Sequence, residues 1–522
     1  MMVVATSHLE ENAMNNFLKK FAHVIIGTLS CFDRVIFKGH LPFGNDGHLN
    51  AFVDHVLGIR RKDFIPMLEK LSHKLVDHAK SLAEAAGRPY EYHQGKFRKE
   101  TYIQNLIRDD AITEGLIAVL CCQETCRTVR LRYGDKRPSL QFAYRPQRVL
   151  YYYSIDPQFG LMYVRVQTWF PYTIQVYVNG HDWLARRMQK KRIGFCQRDN
   201  CFTQLDSAKR AQQLADQFCR LPWVRQLGQW ARLYNPILRE PWLQKLSYYW
   251  TIQQAEYATD VLFASRGKLA GLYHRLLDYA AVHLGARDIL TFLGRKLHGN
   301  FQGEVLSDCK KDRIPGARIK HRVKDNWLKM YDKFGQILRV ETVINDPREF
   351  RVRRRRERNG TPQMVWCPMN KGVANFHQFQ RVAKAANERY LKALAVVDDP
   401  APSYRQVARL AERKVVRQRS YAGFNPACQD DVRLFQAVLH GDHLLRGFYN
   451  RDLRRLLGLD GKHPPSSLRR FAARVGRLLK RLHVRGLIAK IQHTRRWRVT
   501  QLGQQLLGAI IHLHYHGLAK AA

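Results

Sequence analysis

The residue types best suited to chemistry lie in a run of short extended segments near position 330. The segments Arg318 to Val323, Trp327 to Tyr331 and Ile337 to Ile344 are joined by short turns, one of which contains Gly335. Such spacing predicts a three-stranded antiparallel meander. Because side chains alternate between the two faces of a strand, the last two strands can present one shared polar set. That set is Lys329, Tyr331, Arg339 and Glu341.

This set suits phosphodiester chemistry. A carboxylate can hold a divalent metal ion, and nearby cations can neutralise the charge that develops on a reacting phosphate. The hydroxyl of Tyr331 could also act as a covalent nucleophile. The alternative is an ordinary ion-paired sheet face, in which Glu341 is paired with Arg339 or Lys329.

Two further carboxylates complete a candidate metal set. Asp33 ends the apolar run Val24 to Phe32, and Asp260 lies in a segment that we expect to be helical. In that segment Gln253, Glu256, Tyr257 and Asp260 would share one face, either as a solvated edge or as the wall of an active site. Asp33, Asp260 and Glu341 together would provide the three acids of a two-metal nuclease or transposase, with Mg²⁺ as the expected cofactor.

The cysteines favour no second metal. Cys122 with Cys126 and Cys196 with Cys201 lack the usual two-residue spacing of thiolate pairs, so structural zinc is unlikely and buried, reduced thiols are expected.

The run from Tyr331 to Lys333 and the run from Leu338 to Glu341 resemble the core of phage and plasmid replication initiators. In that family the sheet carries a catalytic tyrosine and metal ligands, which implies those roles for Tyr331 and Glu341. The family also has two histidines that flank one apolar residue on a strand. In this chain that spacing occurs only at His512 to His514, in a predicted terminal helix.

The segment Ser466 to Thr500 contains eleven Lys or Arg and no Asp or Glu. Its first half has apolar residues at helical spacing, and Gly486 ends that helix before a predicted hairpin and a last helix. Two shorter helices precede it, Asp430 to His440 and Asn450 to Leu457. This order resembles the winged helix-turn-helix domains of bacterial repressors.

In that family the third helix enters the major groove and the wing reaches phosphates or the minor groove. The resemblance implies a nucleic-acid-binding role for the cations of this region, on the helix and on the wing. They are Arg469, Arg470, Arg474, Arg477, Lys480 and Arg481, then Arg495, Arg496 and Arg498. A protein-interaction or RNA-binding module remains the alternative.

The whole chain is strongly basic, with 88 Lys and Arg against 44 Asp and Glu, a formal net charge of +44 over 522 residues. Such a balance predicts a polyanionic partner and binding that weakens with salt. No apolar run approaches the ~20 residues that span a bilayer, and the start of the chain is too short for a signal-peptide core. We therefore expect a cytoplasmic protein whose partner is DNA or structured RNA rather than a membrane. The oligomeric state is left open.

Two other basic segments are candidates for contact with a nucleic acid. The run Arg351 to Arg358 predicts an exposed arm that tracks a phosphate backbone, or a solvated linker. The stretch Gly294 to Gly303 is typical of a loop that touches phosphate. The candidates are Arg353, Arg354, Arg355 and Arg356 in the arm, and Arg295 and Lys296 in the loop.

The expected fold class is α+β and multidomain, with antiparallel sheets, helical segments and a C-terminal winged helix-turn-helix. The predicted organisation is a mostly helical region at 1–115, an antiparallel sheet at 116–180, and a helical region at 181–310. A meander with the basic arm and a helix follows at 311–400, then a linker at 401–428 and the C-terminal domain at 429–522. In the sheet, Tyr163, Arg165, Gln167 and Trp169 share one face, as base-stacking residues or as core.

The chain also resembles a family of large, basic, uncharacterised bacterial proteins associated with mobile elements. The resemblance rests on four segments, residues 30–34 (SCFDR), 292–296 (FLGRK), 329–335 (KMYDKFG) and 420–425 (SYAGFN). Three functions stay open: a metal-dependent DNA endonuclease or strand-transfer enzyme of a mobile element or replication system, a non-enzymatic ribonucleoprotein component, and a DNA-binding transcriptional regulator.

Overall fold

The structure is a computed structural model. It describes residues 16–43, 45–95, 98–133, 138–244, 246–294, 305–310, 318–358, 361–395, 397, 404–416, 418–440, 443, 447–460, 464–491 and 494–516. The protein is a mixed α+β structure with one large sheet and several small ones.

Within the described residues, eleven strands form the large sheet. They are β1 Ile25–His40, β2 Tyr90–His93, β3 Gly115–Arg132, β4 Ser139–Asp156, β5 Gly160–Gln167, β6 Ile174–Asn179, β9 Tyr249–Phe263, β10 Val305–Lys310, β11 Arg318–Val323, β12 Asn326–Lys333 and β13 Ile337–Ile344. Their order across the sheet is β10-β11-β12-β13-β9-β1-β6-β5-β4-β3-β2. All neighbouring pairs are antiparallel except β2 and β3, which are parallel.

Apolar side chains on one face of this sheet form the main hydrophobic core, which runs from Phe17 to Val397. Leu338 and Val340 of β13 belong to it, as does Phe32 of β1. The helix Phe376–Leu394 covers this face, and the amide of its Asn387 donates to the Tyr257 carbonyl at 3.0 Å. The opposite face of the central strands carries the polar residues and is the face on which the candidate site lies.

The remaining helices surround the sheet or build the C-terminal part. The α-helices are Asp46–Ala51, Arg61–Ala85, Lys99–Asp109, Gly180–Lys190, Ala208–Ala215, Trp223–Tyr234, Pro241–Gln244, Arg266–His283, Ala286–Phe292, Phe376–Leu394, Tyr404–Ala411, Gln429–Val438, Asn450–Leu456, Pro465–Val484 and Gln501–His516. Phe52–Leu57 forms a π-helical turn. Phe218–Arg220, Pro236–Arg239, Pro347–Glu349 and Val373–Asn375 form 3₁₀ turns.

The three-stranded meander predicted near residue 330 is present as β11, β12 and β13, with the bounds of the first and third strands as expected. The helix expected around Gln253 to Asp260 is wrong, because these residues lie within β9. β9 is a central strand that is buried on both faces, so apolar residues surround its polar ones. In such a strand the hydrophobic pattern does not alternate, and the sequence cannot be distinguished from that of a buried helix. The four ranges predicted between residues 1 and 400 all contribute strands to the same sheet.

Four two-stranded hairpins complete the structure. They pair β7 Phe195–Arg198 with β8 Cys201–Leu205, β14 Arg351–Arg358 with β15 Thr361–Pro368, β16 Lys414–Val416 with β17 Arg419–Tyr421, and β18 Ile488–Lys490 with β19 Trp497–Val499. The last hairpin follows the helix Pro465–Val484, as the sequence predicts. Residues from Leu410 to Ile510 enclose a second hydrophobic core of their own.

Candidate metal centre

Three neighbouring strands, β13, β9 and β1, position the central side chains of the site. In the sheet register Arg339 lies opposite Asp260, and Glu341 lies opposite Ala258. Opposed residues share a face and alternate residues return to it, so Glu256 also lies on this face. The predicted partner strand is in register as well, with Lys329 opposite Glu341 and Tyr331 opposite Arg339. The meander therefore brings its four candidate residues together.

Asp33 lies on the same face of the sheet, at a β-bulge in β1. Phe32 pairs with Tyr257 and lies in the core, so Asp33, the next residue, faces the other side by strand alternation, toward the carboxylates of β9 and β13. Val35 pairs with Ala255, so two residues of β1, Asp33 and Arg34, stand against one residue of β9. This extra residue returns Val35 to the core face that Phe32 occupies.

Asp33, Glu256 and Glu341 form the candidate metal centre. One carboxylate oxygen from each lies within 4.8 Å of the other two. Ligands on opposite sides of one divalent cation are separated by about 4 to 5 Å, given metal–oxygen distances of 2.0 to 2.6 Å. The three side chains are 5%, 8% and 1% exposed, respectively. The arrangement therefore matches the donor set and the size of a single hard-cation site.

Glu341 is held by two donors from β12. The Lys329 ammonium donates to Oε1 at 2.6 Å, and the Tyr331 hydroxyl donates to Oε2 at 2.5 Å. Lys329 also lies 3.8 Å from Glu256. Burial would raise the pKa of Glu341, but the charge of Lys329 and the hydrogen bonds from Lys329 and Tyr331 together keep that pKa below its usual range. Glu341 is thus an ionised carboxylate at neutral pH.

Burial raises the pKa of Glu256 to about 8, and the negative charge of Glu341 adds to this shift. Ionising two adjacent buried carboxylates is unfavourable because their negative charges repel each other, so the proton stays on Glu256 at neutral pH. A divalent cation would displace that proton and remove the repulsion. The ammonium of Lys329 already balances the charge of Glu341. A bound cation would therefore have to share Glu256 and Glu341 with Lys329.

Tyr331 is placed as a hydrogen-bond donor. Burial raises the pKa of its phenol well above the usual value, and the charge of Glu341 raises it further. A phenol that keeps its proton and donates to a carboxylate is a weak nucleophile. This geometry supports a positioning role for Tyr331 over the covalent role considered from the sequence.

Arg339 joins Asp260 to Asp33 beside the candidate metal centre. Its guanidinium donates from Nε to Asp260 Oδ1 at 2.6 Å and from Nη2 to Asp260 Oδ2 at 2.7 Å, while Nη1 donates to Asp33 at 3.2 Å. Burial alone would raise the pKa of Asp260, but the Arg339 charge lowers it to about 2. Asp260, expected as a metal ligand, is therefore neutralised by Arg339, and Glu256 occupies the third position of the set.

The helix Gly180–Lys190 and the β7–β8 hairpin support Asp33 from the other side. The amide of Asn200 donates to both Asp33 oxygens, at 2.8 and 2.7 Å. Gly180 permits the close approach, since a Cβ there would lie 2.2 Å from the Phe32 carbonyl oxygen. Burial opposes a low pKa at Asp33, yet hydrogen bonding to His181 and the Arg339 charge lower it below its usual range.

His181 lies fully buried between two carboxylates, with Nδ1 3.3 Å from Asp33 and Nε2 3.8 Å from Asp260. Burial opposes its charged form, whereas the interaction with Cys31 and hydrogen bonds to these acids raise its pKa above the usual value. However, Arg339 Nη2 lies 3.1 Å from Nε2, and a guanidinium only donates. Since this contact requires an unprotonated Nε2, we assign a neutral imidazole whose Nδ1 proton faces Asp33.

A cavity of about 780 Å³ adjoins the supports of Asp33. Arg34 and Asn200 line it, together with Tyr163 and Tyr177, whose rings stack with centroids 5.1 Å apart. Arg34 lies 5.7 Å from the Tyr177 ring centroid. The cavity therefore offers a cation and stacked aromatic rings next to the bulge that carries Asp33.

The other residues of the predicted aromatic face are used for internal contacts. Arg165 is bound to Glu124 at 2.8 Å, and the indole of Trp169 donates to the Val129 carbonyl at 3.2 Å. Gln167 is 1% exposed. For these three residues the contacts favour the core alternative over base stacking.

The predicted nucleic-acid-binding cations outside the basic arm fall into three groups. Exposed on the helix Pro465–Val484 or its hairpin are Arg469, Arg470, Arg474, Arg477, Lys480, Arg495 and Arg498. Two others contact the protein itself: Arg481 donates to the Ala422 carbonyl at 3.1 Å, and Arg496 donates to the Tyr449 hydroxyl at 2.7 Å. Arg295 and Lys296 lie outside the described residues.

The basic arm is a hairpin, not a linker. Arg353 and Arg355 lie opposite Trp366 and Met364, so these four residues share one face, while Arg354 belongs to the other. The side chain of Arg356 lies outside the part that the structure describes. Arg353 and Arg355 are exposed, and Trp366 and Met364 are 60% and 56% exposed. The face combines cations with large apolar side chains.

The carboxylate cluster predicted from the sequence does not include Glu256, and His181 and Asn200 are not predicted among its neighbours. The sequence pattern predicts a helix around Glu256, where Tyr257 would share its face, whereas in a strand these two neighbours point to opposite faces. His181 and Asn200 come from distant segments, and only the tertiary structure brings them to Asp33.

No described helix is long and apolar enough to cross a membrane. No protein-family model matches the chain, and searches of curated proteins and of solved structures find no match either.

Proposed function

We propose that this chain is a nucleic-acid-binding protein that cleaves or transfers phosphodiester bonds with the help of a divalent metal ion. The observation that carries the proposal is the convergence of Asp33, Glu256 and Glu341, on three neighbouring strands, within 4.8 Å. Perturbed carboxylates in a buried cluster are typical of functional sites. We expect Mg²⁺ or Mn²⁺, because carboxylate oxygens are the ligands these ions prefer.

The protein's own residues have distinct tasks in this proposal. Asp33, Glu256 and Glu341 hold the cation, which when bound would polarise a phosphate oxygen and lower the pKa of an attacking water. Lys329 and Tyr331 orient Glu341, whereas Arg339 and Asn200 orient Asp33. Arg34 lies in the adjoining cavity, where a cation can neutralise a phosphate oxygen of the substrate.

The charge of the chain supports a nucleic acid as the substrate. A formal net charge of +44 favours a polyphosphate partner. The C-terminal elements have the order of a winged helix-turn-helix, and we propose that the helix Pro465–Val484 lies in the major groove with Arg474 and Arg477 toward the DNA. A role in a mobile element or a replication system, in the cytoplasm, is part of this proposal.

A second function, that of a non-enzymatic ribonucleoprotein component, is supported by one observation. Lys329 already neutralises Glu341 at 2.6 Å, which is what a purely structural ion pair would do. In that case the basic surfaces would bind a structured RNA.

A cleavage assay separates the two. Purified full-length protein is incubated with labelled single-stranded and duplex DNA and with RNA, in Mg²⁺, Mn²⁺ or EDTA. We expect metal-dependent cleavage that is abolished in Glu341→Gln, while Glu69→Gln, on an exposed position of the helix Arg61–Ala85, retains it. Retention of binding by Glu341→Gln would show that the fold is intact. Metal-dependent cleavage that persists in Glu341→Gln, or no cleavage by the wild type alongside tight RNA binding, would overturn the enzymatic proposal.

A further inference from the structure

A second cavity, of about 880 Å³, opens on the polar face of the same sheet, away from the carboxylates. Lys38 and His40 of β1, Arg165 of β5 and Gln175 of β6 line its floor. Lys38 lies five residues after Asp33 on β1, which is roughly 17 Å at about 3.3 Å per residue. The cavity and the candidate metal centre therefore lie along one strand.

Positive charge dominates this cavity. Glu124 is the only carboxylate among its lining residues, and it is already bound by Arg165 at 2.8 Å and by Lys99 at 3.1 Å. No hydrogen bond or ion pair within the described residues engages the Lys38 ammonium. Lys38 is therefore placed to receive an anion, whereas Arg165 is engaged by Glu124.

Burial and the neighbouring cations lower the pKa values of the titrating groups in this cavity. Burial lowers the pKa of Lys38, and the cations Arg165, Lys371 and Arg127 lower it further. Burial likewise lowers the pKa of His40 to about 4, with Lys38, Arg127 and Lys371 adding to the effect. Both shifts have the direction expected where cations are crowded together without matching anions. A bound phosphate would remove that repulsion.

Two exposed tyrosines lie at the cavity. Tyr249 is 62% exposed and Tyr144 is 75% exposed, and both line it. Large aromatic rings left in water beside a cationic floor provide the stacking platform and the charge that single-stranded nucleic-acid sites combine. The volume also lies within the range of cavities that hold a small organic ligand or part of a longer one.

We propose that this cavity binds one nucleotide unit of a single-stranded nucleic acid, with a phosphate at Lys38 and a base stacked on Tyr249. The proposal rests on the proposed function only for the identity of the ligand, since the cavity does not share its lining residues with the candidate metal centre. A short extended strand seated here would run along β1 toward Asp33. The cavity would then be the subsite that places the strand for cleavage.

The test uses the full-length protein and fluorescein-labelled twelve-nucleotide single strands of oligo(dT) and oligo(U), with a twelve-base-pair duplex as a third ligand. Binding is measured by fluorescence anisotropy over a series of salt concentrations. We expect Lys38→Gln to weaken single-strand binding several-fold and to reduce the salt slope by about 0.7, the value for one lost phosphate contact. Tyr249→Leu should weaken it about tenfold with no change in slope.

Lys70→Gln is the matched control, because it removes the same charge from an exposed position on the helix Arg61–Ala85. It should bind as the wild type does. A second measurement places 4-thiouracil in the oligo(U) strand, and ultraviolet crosslinks are located by mass spectrometry. We expect them at Tyr249 or Tyr144.

The outcomes separate this proposal from the proposed function. Unchanged single-strand binding in Lys38→Gln and Tyr249→Leu, with crosslinks elsewhere, would overturn the cavity as a subsite while nucleic-acid binding stands. If inorganic phosphate binds at Lys38 but does not displace the oligonucleotides, the cavity as a nucleic-acid subsite would be overturned in favour of a site for a small phosphorylated ligand. A wild-type protein that binds none of the three nucleic acids would overturn the nucleic-acid function itself.

Discussion

The clearest quantitative consequence of the site concerns Glu256. Its pKa is raised from 4.5 to about 8 by burial and by the charge of Glu341. The folded state therefore holds this proton more tightly than the unfolded chain. The stability contributed by the protonated group is fully present below about pH 4.5 and is lost as the pH rises through about 8.

The magnitude follows from linkage. Between these two pKa values each pH unit changes the free energy of unfolding by about 1.4 kcal/mol. From pH 6 to pH 9 the wild type should thus lose about 3 kcal/mol through Glu256. Glu256→Gln keeps the shape of the side chain but cannot ionise, so its stability relative to the wild type should rise by about 3 kcal/mol over that range.

The assay is urea unfolding at pH 6, 7.5 and 9, followed by far-ultraviolet circular dichroism. Hydrogen exchange of peptides that cover β9 reports whether the unit containing Glu256 is the one that unfolds. Glu69→Gln provides the control for removal of an exposed carboxylate. If the free energy of unfolding depends on pH in the same way for the wild type and Glu256→Gln, Glu256 is not held protonated. That assignment would also be refuted if Glu69→Gln differed from the wild type as Glu256→Gln is expected to.

Three further predictions concern single residues. Arg339→Met should lower the free energy of unfolding by about 3 to 5 kcal/mol, because it leaves Asp260 and Asp33 buried without their counter-charge; urea unfolding measures this, and a change below about 1 kcal/mol would contradict it. Lys329→Met should increase Mn²⁺ affinity in calorimetry, because the ammonium competes for Glu341, and a lower affinity would instead make Lys329 a support of the metal site. Arg474→Ala should relax sequence preference if Arg474 contacts bases, whereas uniformly weaker binding to all duplexes would limit it to phosphate.

The sequence predicted the meander and its four polar residues because strict alternation and short turns are local properties. The register of β12 and β13 follows from their turn, so Lys329, Tyr331 and Glu341 could be placed together before any tertiary structure was known. The charge pattern of the helix Pro465–Val484 was likewise visible, since its apolar stripe has helical spacing.

The rest of the site depended on long-range pairing. Asp33 joins the carboxylates only because β1 pairs with β9 at that point. The sequence could not show which of the two carboxylates of β9, Glu256 or Asp260, joins the candidate metal cluster. Asp260 is engaged by Arg339 through a bidentate contact, and that contact arises from the pairing of β9 with β13. Such pairings between distant segments leave no signature in spacing or composition.

For Arg481 and Arg496, too, the sequence could not predict the contacts that the structure shows. Their charge and position matched those of the exposed arginines around them, but each donates to a group of its own chain. Spacing alone could not reveal the Ala422 carbonyl or the Tyr449 hydroxyl as partners.

The proposed metal centre can be tested by measuring the binding of Mn²⁺ to the protein. Electron paramagnetic resonance of the full-length protein titrated with Mn²⁺ at pH 8 should show one bound ion per chain, and Glu341→Gln should lose it while Glu69→Gln retains it. The same titration at pH 6.5 should show affinity weaker by more than tenfold, because the proton on Glu256 must leave. Equal Mn²⁺ binding by the wild type and Glu341→Gln, or no binding by either, would contradict a metal centre at Asp33, Glu256 and Glu341.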